Sequence, residues 1–382
     1  MTPGAAAAQG ESPGVTPTEI VLGTHAPLAG PAAPFSAAAR AANAYFRWIN
    51  DQGGVNGRQI RLIIRDDRQD PAAGEQVTRE LVRLDRVLAV VGALGDRPHS
   101  RAVDFLNNEE VPDLFVLGGS LLWSRPPRRW TVALQPSYRQ EGALLAQLAL
   151  RELGGRRLAI YAQAGELGTE AAQGLREALR GKLTITAEAR QAITDGDPGA
   201  VVAELRASGA QAVAVLAVPG MAARFIAASA RAGWNPRILL SSEAVVPELF
   251  AWAGRKDAEG AISLSYLPLA DDARDNRVAK HREILAKYGS GLRADALTLS
   301  GQAVAELTVE ALRRAGPLPT RASLLHAAEG LNNWNDEGKA LAPMVGLSAL
   351  DHQALHAARM VTARDGKWVA GGDWLSAPPL EP

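Results

Sequence analysis

Between Glu19 and Pro71 the chain reads EIVLGTHAPLAGPAAPFSAAARAANAYFRWINDQGGVNGRQIRLIIRDDRQDP, and this order of segments leaves little choice of local fold. Ile20, Val21 and Leu22 form an apolar run that stops at Gly23, which a strand explains most simply. Ser36 stands where a helix cap is needed, and Ala37, Ala41, Ala44, Tyr45, Trp48 and Ile49 recur at helical spacing, so one helical face is buried. Gly53-Gly54 ends that helix and Asn56-Gly57 supplies a turn. Ile60, Leu62 and Ile64 then alternate with Arg61 and Arg65 up to Asp66-Asp67. The result is one complete β-α-β unit with a Gly/Pro-rich loop at a strand end, where α/β proteins hold ligands.

What that loop lacks narrows its chemistry. A dinucleotide site needs closely spaced glycines so that backbone N–H groups approach a pyrophosphate, and HAPLAGPAAPFS contains no G-x-G-x-x-G. No phosphate-cradling G-x-x-x-x-G-K-[ST] occurs either, so no nucleotide cofactor is expected. The loop either closes over a small molecule or is a long strand-to-helix connection.

At 382 residues the chain exceeds what one hydrophobic core supports, and its 47% apolar content fills two. Its 41 basic residues balance 41 acidic ones; no basic stripe points to nucleic acid, and no apolar run is long enough to span a membrane. Cysteine is absent, which removes thiol catalysis, thiolate metal sites and disulfides together. Met1 to Pro17 lacks the basic and apolar regions of a signal peptide, and is read as an unstructured mature N-terminus whose Met1 is open to being an addition.

The alternation continues downstream. Asp70 caps and Pro71 begins a helix that leads to the apolar run Val87 to Val91. A helix from about Pro98 to Glu109 precedes a strand at Leu114 to Leu117, closed by Gly118-Gly119. After RRWTVALQPSYRQEG a second series follows, with strands at Leu158 to Tyr161, Leu183 to Ala187, Ala212 to Val218 and Ile238 to Leu240. Helices are expected at about Arg274 to Tyr288, Ala294 to Ala315 and Arg321 to Ala328. A hairpin then turns at Asp365-Gly366, from Leu355 to Thr362 and back through Lys367 to Val369. Two similar α/β lobes, each a doubly wound sheet, predict a ligand cleft between them and a hinge of several chain crossings.

The blocks PLAGPAAPF, NDQGGVNGRQIRLIIRDD, VPDLFVLGG and QPSYRQEG, in this order and spacing from about Thr18 to Val369, resemble type I periplasmic binding proteins. The nearest group looks like the leucine/isoleucine/valine-binding family of ABC-importer receptors. The resemblance implies two Rossmann-like lobes joined by three crossings, a periplasmic location, a small-molecule ligand and a membrane permease as partner, with no reaction and no cofactor. It divides the chain into residues 18–137 plus about 267–345 for one lobe, 138–266 plus about 346–374 for the other, and a tail at 375–382.

Carried over by position, the resemblance puts the aromatic lid of the first loop on Phe35 and the acidic residue that meets a ligand ammonium on Glu243. A hydroxyl expected after the third strand falls on Asp96, and an Ala-x-Thr segment falls on Leu117, Gly118 and Gly119; both depart from the family pattern. Second-lobe aromatics expected near Gly168 and Pro219-Gly220 are replaced by Leu167 and by none. A ligand carboxylate beside Asp96 would meet a like charge at a cost of roughly 4 kcal/mol for about 4 Å at an effective dielectric near 20. The expected ligand is therefore larger and more hydrophobic than an amino acid, aromatic or lipid-like, of the sterol or hopanoid class for example. Arg97 or His99 pairing with Asp96 is the alternative that restores room for an anion.

Each candidate also has a plainer reading. Asp96 at a helix start either caps it or lines the cleft, and the roles are compatible. Trp123 either stacks on a flat ligand or packs its own loop; Tyr138 and Gln140 either touch ligand at the crossing or cap the next helix. His352 and His356 have a metal-pair spacing but sit in a loop entering a strand, with no completing carboxylate, and are read as structural. Adjacent Asp66-Asp67 on a strand face opposite ways and make no catalytic pair. Two competing functions remain, a ligand-sensing receptor domain on the same fold and a doubly wound enzyme; neighbouring permease genes separate the first from an importer, and turnover dependent on a cleft Ser or Asp identifies the second.

Overall fold

The computed structural model describes residues 12–379. The first lobe is built on β1 (Glu19–Ala26), α1 (Ala37–Asn50), β2 (Gln59–Asp66), α2 (Pro71–Arg83), β3 (Ala89–Val91), α3 (Asp96–His99), α4 (Ala102–Asn108), β4 (Asp113–Val116) and β5 (Thr131–Ala133). Its five strands lie in the order β2-β1-β3-β4-β5, all pairs parallel. The order reverses direction between β1 and β3, which is where a doubly wound sheet opens a crevice beyond its strand ends. Strands β1, β3 and β4 are almost wholly buried, as a parallel sheet covered on both faces requires.

The second lobe repeats that arrangement. It contains α5 (Tyr138–Glu152), β6 (Leu158–Gln163), α6 (Glu166–Leu179), β7 (Ile185–Gln191), α7 (Gly199–Ala207), β8 (Ala212–Leu216), α8 (Pro219–Arg231), β9 (Arg237–Leu240), α9 (Glu248–Ala253) and β10 (Ile262–Ser265). The order β7-β6-β8-β9-β10 is parallel and matches the first sheet strand for strand. Helices α10 (Asn276–Tyr288), α11 (Ala296–Ala315) and α12 (Arg321–Glu329) then return to the first lobe, where α10 and α11 pack on α1. A short pair, β11 (Asn332–Trp334) and β12 (Val345–Gly346), precedes the antiparallel hairpin β13 (Ala357–Arg364) and β14 (Lys367–Ser376), which extends the second sheet beside β10.

Local chemistry explains many of the element ends. Asp70 accepts from Ala72 N and Ala73 N with Pro71 at the first helical position of α2. Ser137 and Gln140 form a reciprocal capping box on α5, the plainer of the two readings for Gln140. Ser36 departs from expectation: its Oγ donates to Ala33 O and caps nothing on α1. Helices α5 and α6 cross closely because a Cβ on Gly142 would lie 2.0 Å from Ala171 O, and one on Gly174 would lie 1.9 Å from Arg139 O.

Other expectations shift. The helix expected from Pro98 to Glu109 is two pieces, α3 and α4, broken at Ser100 and Arg101. The strand placed at Leu183 to Ala187 runs instead over Ile185–Gln191, because β7 is a sheet edge where Glu188 and Arg190 face solvent and pair with each other. Residues 354 and 355 belong to the third crossing, with Ala354 N and Leu355 N donating to Ala133 O and Leu134 O, so the hairpin starts later than Leu355. Of the 1–17 segment, residues 1–11 lie outside the described residues; the rest packs on β1, with Val21 N donating to Gly14 O. At the other end Leu375 and Ser376 complete β14 rather than forming a tail.

Candidate functional site

Strand β4 prepares the site with an irregularity. Its register against β5 shifts between Leu114 and Val116, and the fully buried Phe115 takes φ +59° there, a conformation a bulky side chain adopts only under constraint. A bulge of this kind re-aims the chain that follows. Here that chain is Leu117, Gly118, Gly119 and Ser120, at the strand tips facing the second lobe.

Asp96, the first residue of α3, is fixed against this segment. Its carboxylate accepts from Ser120 N at 3.1 Å, Trp123 Nε1 at 2.7 Å and Tyr138 OH at 2.9 Å. Gly95, not Asp96, occupies the cap position of α3. Gly118 and Gly119 are required by closeness: a Cβ on Gly118 would lie 2.4 Å from Asp96 Oδ1, and one on Gly119 would lie 2.5 Å from the Tyr138 ring. Tyr138 N also donates to Gly119 O at 2.6 Å. Asp96, Gly118, Gly119, Trp123 and Tyr138 thus form one contact group where the first lobe meets α5.

The lobes also meet through a residue that sequence reasoning missed. Glu170, on the first turns of α6, accepts from Leu121 N at 2.9 Å and from Ser120 Oγ at 3.4 Å. The acidic start of α6 was the one available signal, and it is also what any helix N-terminus favours. Glu141 was missed as well, although it lies inside QPSYRQEG. It is fully buried and accepts from Ser242 N, Ser242 Oγ and Tyr266 OH at 2.8, 2.6 and 2.7 Å.

Glu243 follows in the single 3-10 turn Ser242–Ala244 after β9. Burial pushes its carboxyl up to about 7, and the charges that add to this are two further carboxylates, Glu141 and Asp96. Glu170 is likewise raised to about 7, by burial first, with Asp96 and Glu166 adding to it against the Leu121 N–H. Burial also raises Asp96, opposed by its three donors, and raises Glu141 and the Tyr138 hydroxyl. Among the described residues no ion pair links Asp96, Glu141 or Glu243 to a basic side chain. The lobe interface is therefore acidic, with Asp96, Glu170 and Glu243 half-buried there, Glu141 fully buried behind them, and no basic side chain paired with Asp96, Glu141 or Glu243 among the described residues.

The remaining candidates separate from this group. Trp123 is 1% exposed and packs against His99, the plainer of its two readings. His99 is buried between His25 and Asp113 and is not the partner of Asp96. Arg97 is exposed on α3 and makes no ion pair with Asp96. Leu117 and Leu167 are buried in the main apolar core. Pro219 and Gly220 open α8, half-buried, and a Cβ on Gly220 would meet open space. Phe35 lies in the loop after β1, 47% exposed, with Leu28 at 44% in the same loop. His352 bonds Glu329 and two carbonyl oxygens, and no group of three metal-type ligands occurs among the described residues.

Comparison with known proteins agrees with the geometry. A family described as "Periplasmic binding protein" matches residues 19–367. An "Amino acid binding protein" of Pseudomonas aeruginosa is 27% identical over 248 residues, 62% of this chain and 64% of that protein's length. Among solved structures, a fatty acid ABC transporter substrate-binding protein from Thermomonospora curvata superposes with a TM-score of 0.84 at 23% identity, over 96% of this chain and 94% of that one. A branched chain amino acid ABC transporter from Thermus thermophilus with bound valine gives 0.81 at 20% identity, over 94% and 97%. At these identities the structural likeness establishes the fold, and the family match extends over nearly the whole chain. With two doubly wound lobes meeting at their strand tips and this match over residues 19–367, the chain belongs to the periplasmic binding protein family.

Proposed function

We propose that this protein is the periplasmic receptor of an ABC importer and that it captures a small hydrophobic ligand whose polar end donates hydrogen bonds. The family match supports capture by lobe closure, in which ligand contacts from both lobes favour the closed population. The observation that carries the ligand class is the carboxylate set Asp96, Glu170 and Glu243 at the lobe interface, with no basic partner for Asp96 or Glu243 among the described residues and the buried Glu141 behind Glu243. A zwitterion's carboxylate brought next to ionised Asp96 is opposed by about 4 kcal/mol. A hydroxyl or amine is not. Exposed Leu28 and Phe35 in the loop after β1 supply apolar surface for the ligand body.

The likeness to a receptor named for fatty acids fits an apolar body. A fatty acid's carboxylate meets the same opposition beside ionised Asp96 as a zwitterion's does, so this likeness bears on the ligand's apolar body and not on its head. Binding rather than catalysis is the reading throughout, with a membrane permease as the partner that receives the ligand.

Calorimetric melting with leucine, a medium-chain primary alcohol and a hydroxylated sterol tests the ligand class. A true ligand at about 100 times its dissociation constant adds about 2.7 kcal/mol to stability. The alcohol or the sterol is expected to raise the melting temperature and leucine to leave it unchanged. Micromolar leucine binding with no response to the other two contradicts the proposal.

A further inference from the structure

Behind Asp96 lies a row of four titratable side chains, each 0% exposed, that ligand contact does not use. Asp67 Oδ2 is 2.7 Å from His25 Nδ1, His25 Nε2 is 2.8 Å from His99 Nδ1, and His99 Nε2 is 2.9 Å from Asp113 Oδ2. His25 lies near the end of β1, Asp67 follows β2, His99 closes α3 and Asp113 opens β4, so the row ties four segments of the first lobe together. It also adjoins the ligand site. His99 is one helical turn beyond Asp96, and its ring lies 5.4 Å from that of Trp123, which donates to Asp96.

Counting protons shows what the row must hold. Each of three contacts this short needs one proton between two lone-pair atoms, whereas two neutral imidazoles bring only two. Burial holds His25 below the ordinary histidine range, so His25 is the neutral member. Its Nδ1–H donates to Asp67 and its Nε2 accepts from His99 Nδ1–H. The third proton then lies between His99 Nε2 and Asp113. Asp67 keeps a negative charge, and Gln69 N donates to its other oxygen at 2.8 Å. At the opposite end Asp113 has few donors to stabilise a charge: Oδ1 has no partner among the described residues, and Thr131 Oγ1 stands 3.5 Å from Oδ2. The charged and titratable groups acting on His25 are Asp67, just after β2, His99 of α3 and Asp113 of β4.

We infer that His25, His99 and Asp113 are positioning residues of the ligand site: a buried row holding three protons braces α3, so that Asp96 and Trp123 meet at the lobe interface. Its meaning for binding rests on the reading of Asp96 as a cleft residue. The brace itself is measured without any ligand, so its failure and the failure of the ligand proposal are distinguishable.

The test follows the Trp123 indole N–H by NMR, assigned through its loss in Trp123→Phe, together with the nitrogen shifts of His25. In the wild-type protein, followed from pH about 5 to about 9, His25 is expected to be protonated at Nδ1 and not to titrate as a free histidine does. Asp113→Asn provides a permanent N–H toward His99 Nε2, and should leave the Trp123 resonance protected from exchange across that range. Asp113→Leu should speed that exchange by about tenfold or more. Equal exchange in Asp113→Leu and wild type overturns the inference, as does a His25 that titrates near about 6.5 like a free histidine. Should Asp113→Leu not fold, the His25 tautomer in the wild type and in Asp113→Asn decides, and protonation at Nε2 contradicts the row.

Discussion

Gly119→Ala is expected to weaken ligand capture by at least about tenfold, equivalent to about 1.4 kcal/mol. The added Cβ would sit 2.5 Å from two carbons of the Tyr138 ring, far inside contact distance. That ring has nowhere to go: Tyr138 is 6% exposed, its hydroxyl is held by Asp96 and its amide by Gly119 O. Overpacking of this kind costs about 1–3 kcal/mol, and here the strain falls on the contact between the lobes rather than inside either one. Scattering should report a larger radius of gyration, and calorimetry a weaker affinity for whichever ligand the wild type binds. Gly220→Ala, whose Cβ meets open space, is the control expected to change neither. Adding Tyr138→Ala to Gly119→Ala should recover the radius, because the obstructing ring is gone. A Gly119→Ala protein with wild-type radius and affinity would show that closure does not run through this contact.

Glu243→Gln should make the protein more stable and worse at binding. A carboxyl raised from 4.5 in the unfolded chain to about 7 in the folded one binds its proton more tightly when folded. Its stabilising contribution is complete below about 4.5 and is lost as the pH climbs through about 7, a loss on the order of 3 kcal/mol. Glu170 and Glu306, both raised to about 7 mainly by burial, add in the same direction. Thermal stability should therefore fall between pH about 5 and about 8. Carboxylates held below their usual range, such as Asp66 with its two backbone donors, act only under more acid conditions, below about pH 4. No hydrogen bond to the Glu243 carboxylate is lost on substitution among those the structure shows, so Glu243→Gln should flatten part of this slope and raise stability at pH about 8, while ligand affinity falls. A variant with the wild-type slope would place Glu243 in water and remove it from the acidic interface.

Much of the fold was legible because local chemistry and tertiary structure agree. Asp70-Pro71, the Ser137 to Gln140 box and the Asp365-Gly366 turn each sit where their side chains dictate. The expectation failed where the surroundings decide. Edge position let β7 carry Glu188 and Arg190, and the break at Ser100-Arg101 has no glycine or sequence stop to announce it, although Pro98 stands just before.

Of the candidate site, the sequence already named Asp96, Gly118, Gly119, Trp123 and Tyr138, which the structure brings into one contact group. Gly118 and Gly119 stand out as a strand-ending pair, and the structure gives each a steric reason. Glu170 reaches Leu121 from 49 residues away, and His25 meets His99 across 74, pairings that no local pattern encodes. Leu117 and Leu167 look like cleft walls in sequence and are core residues in space, because strand tips and helix starts supply both.

Mass spectrometry of small molecules extracted from the purified protein tests the central claim most directly. The account predicts an apolar species bearing a hydroxyl or amine, retained by wild type and lost from Gly119→Ala. Recovery of leucine, isoleucine or valine as the retained molecule would contradict it.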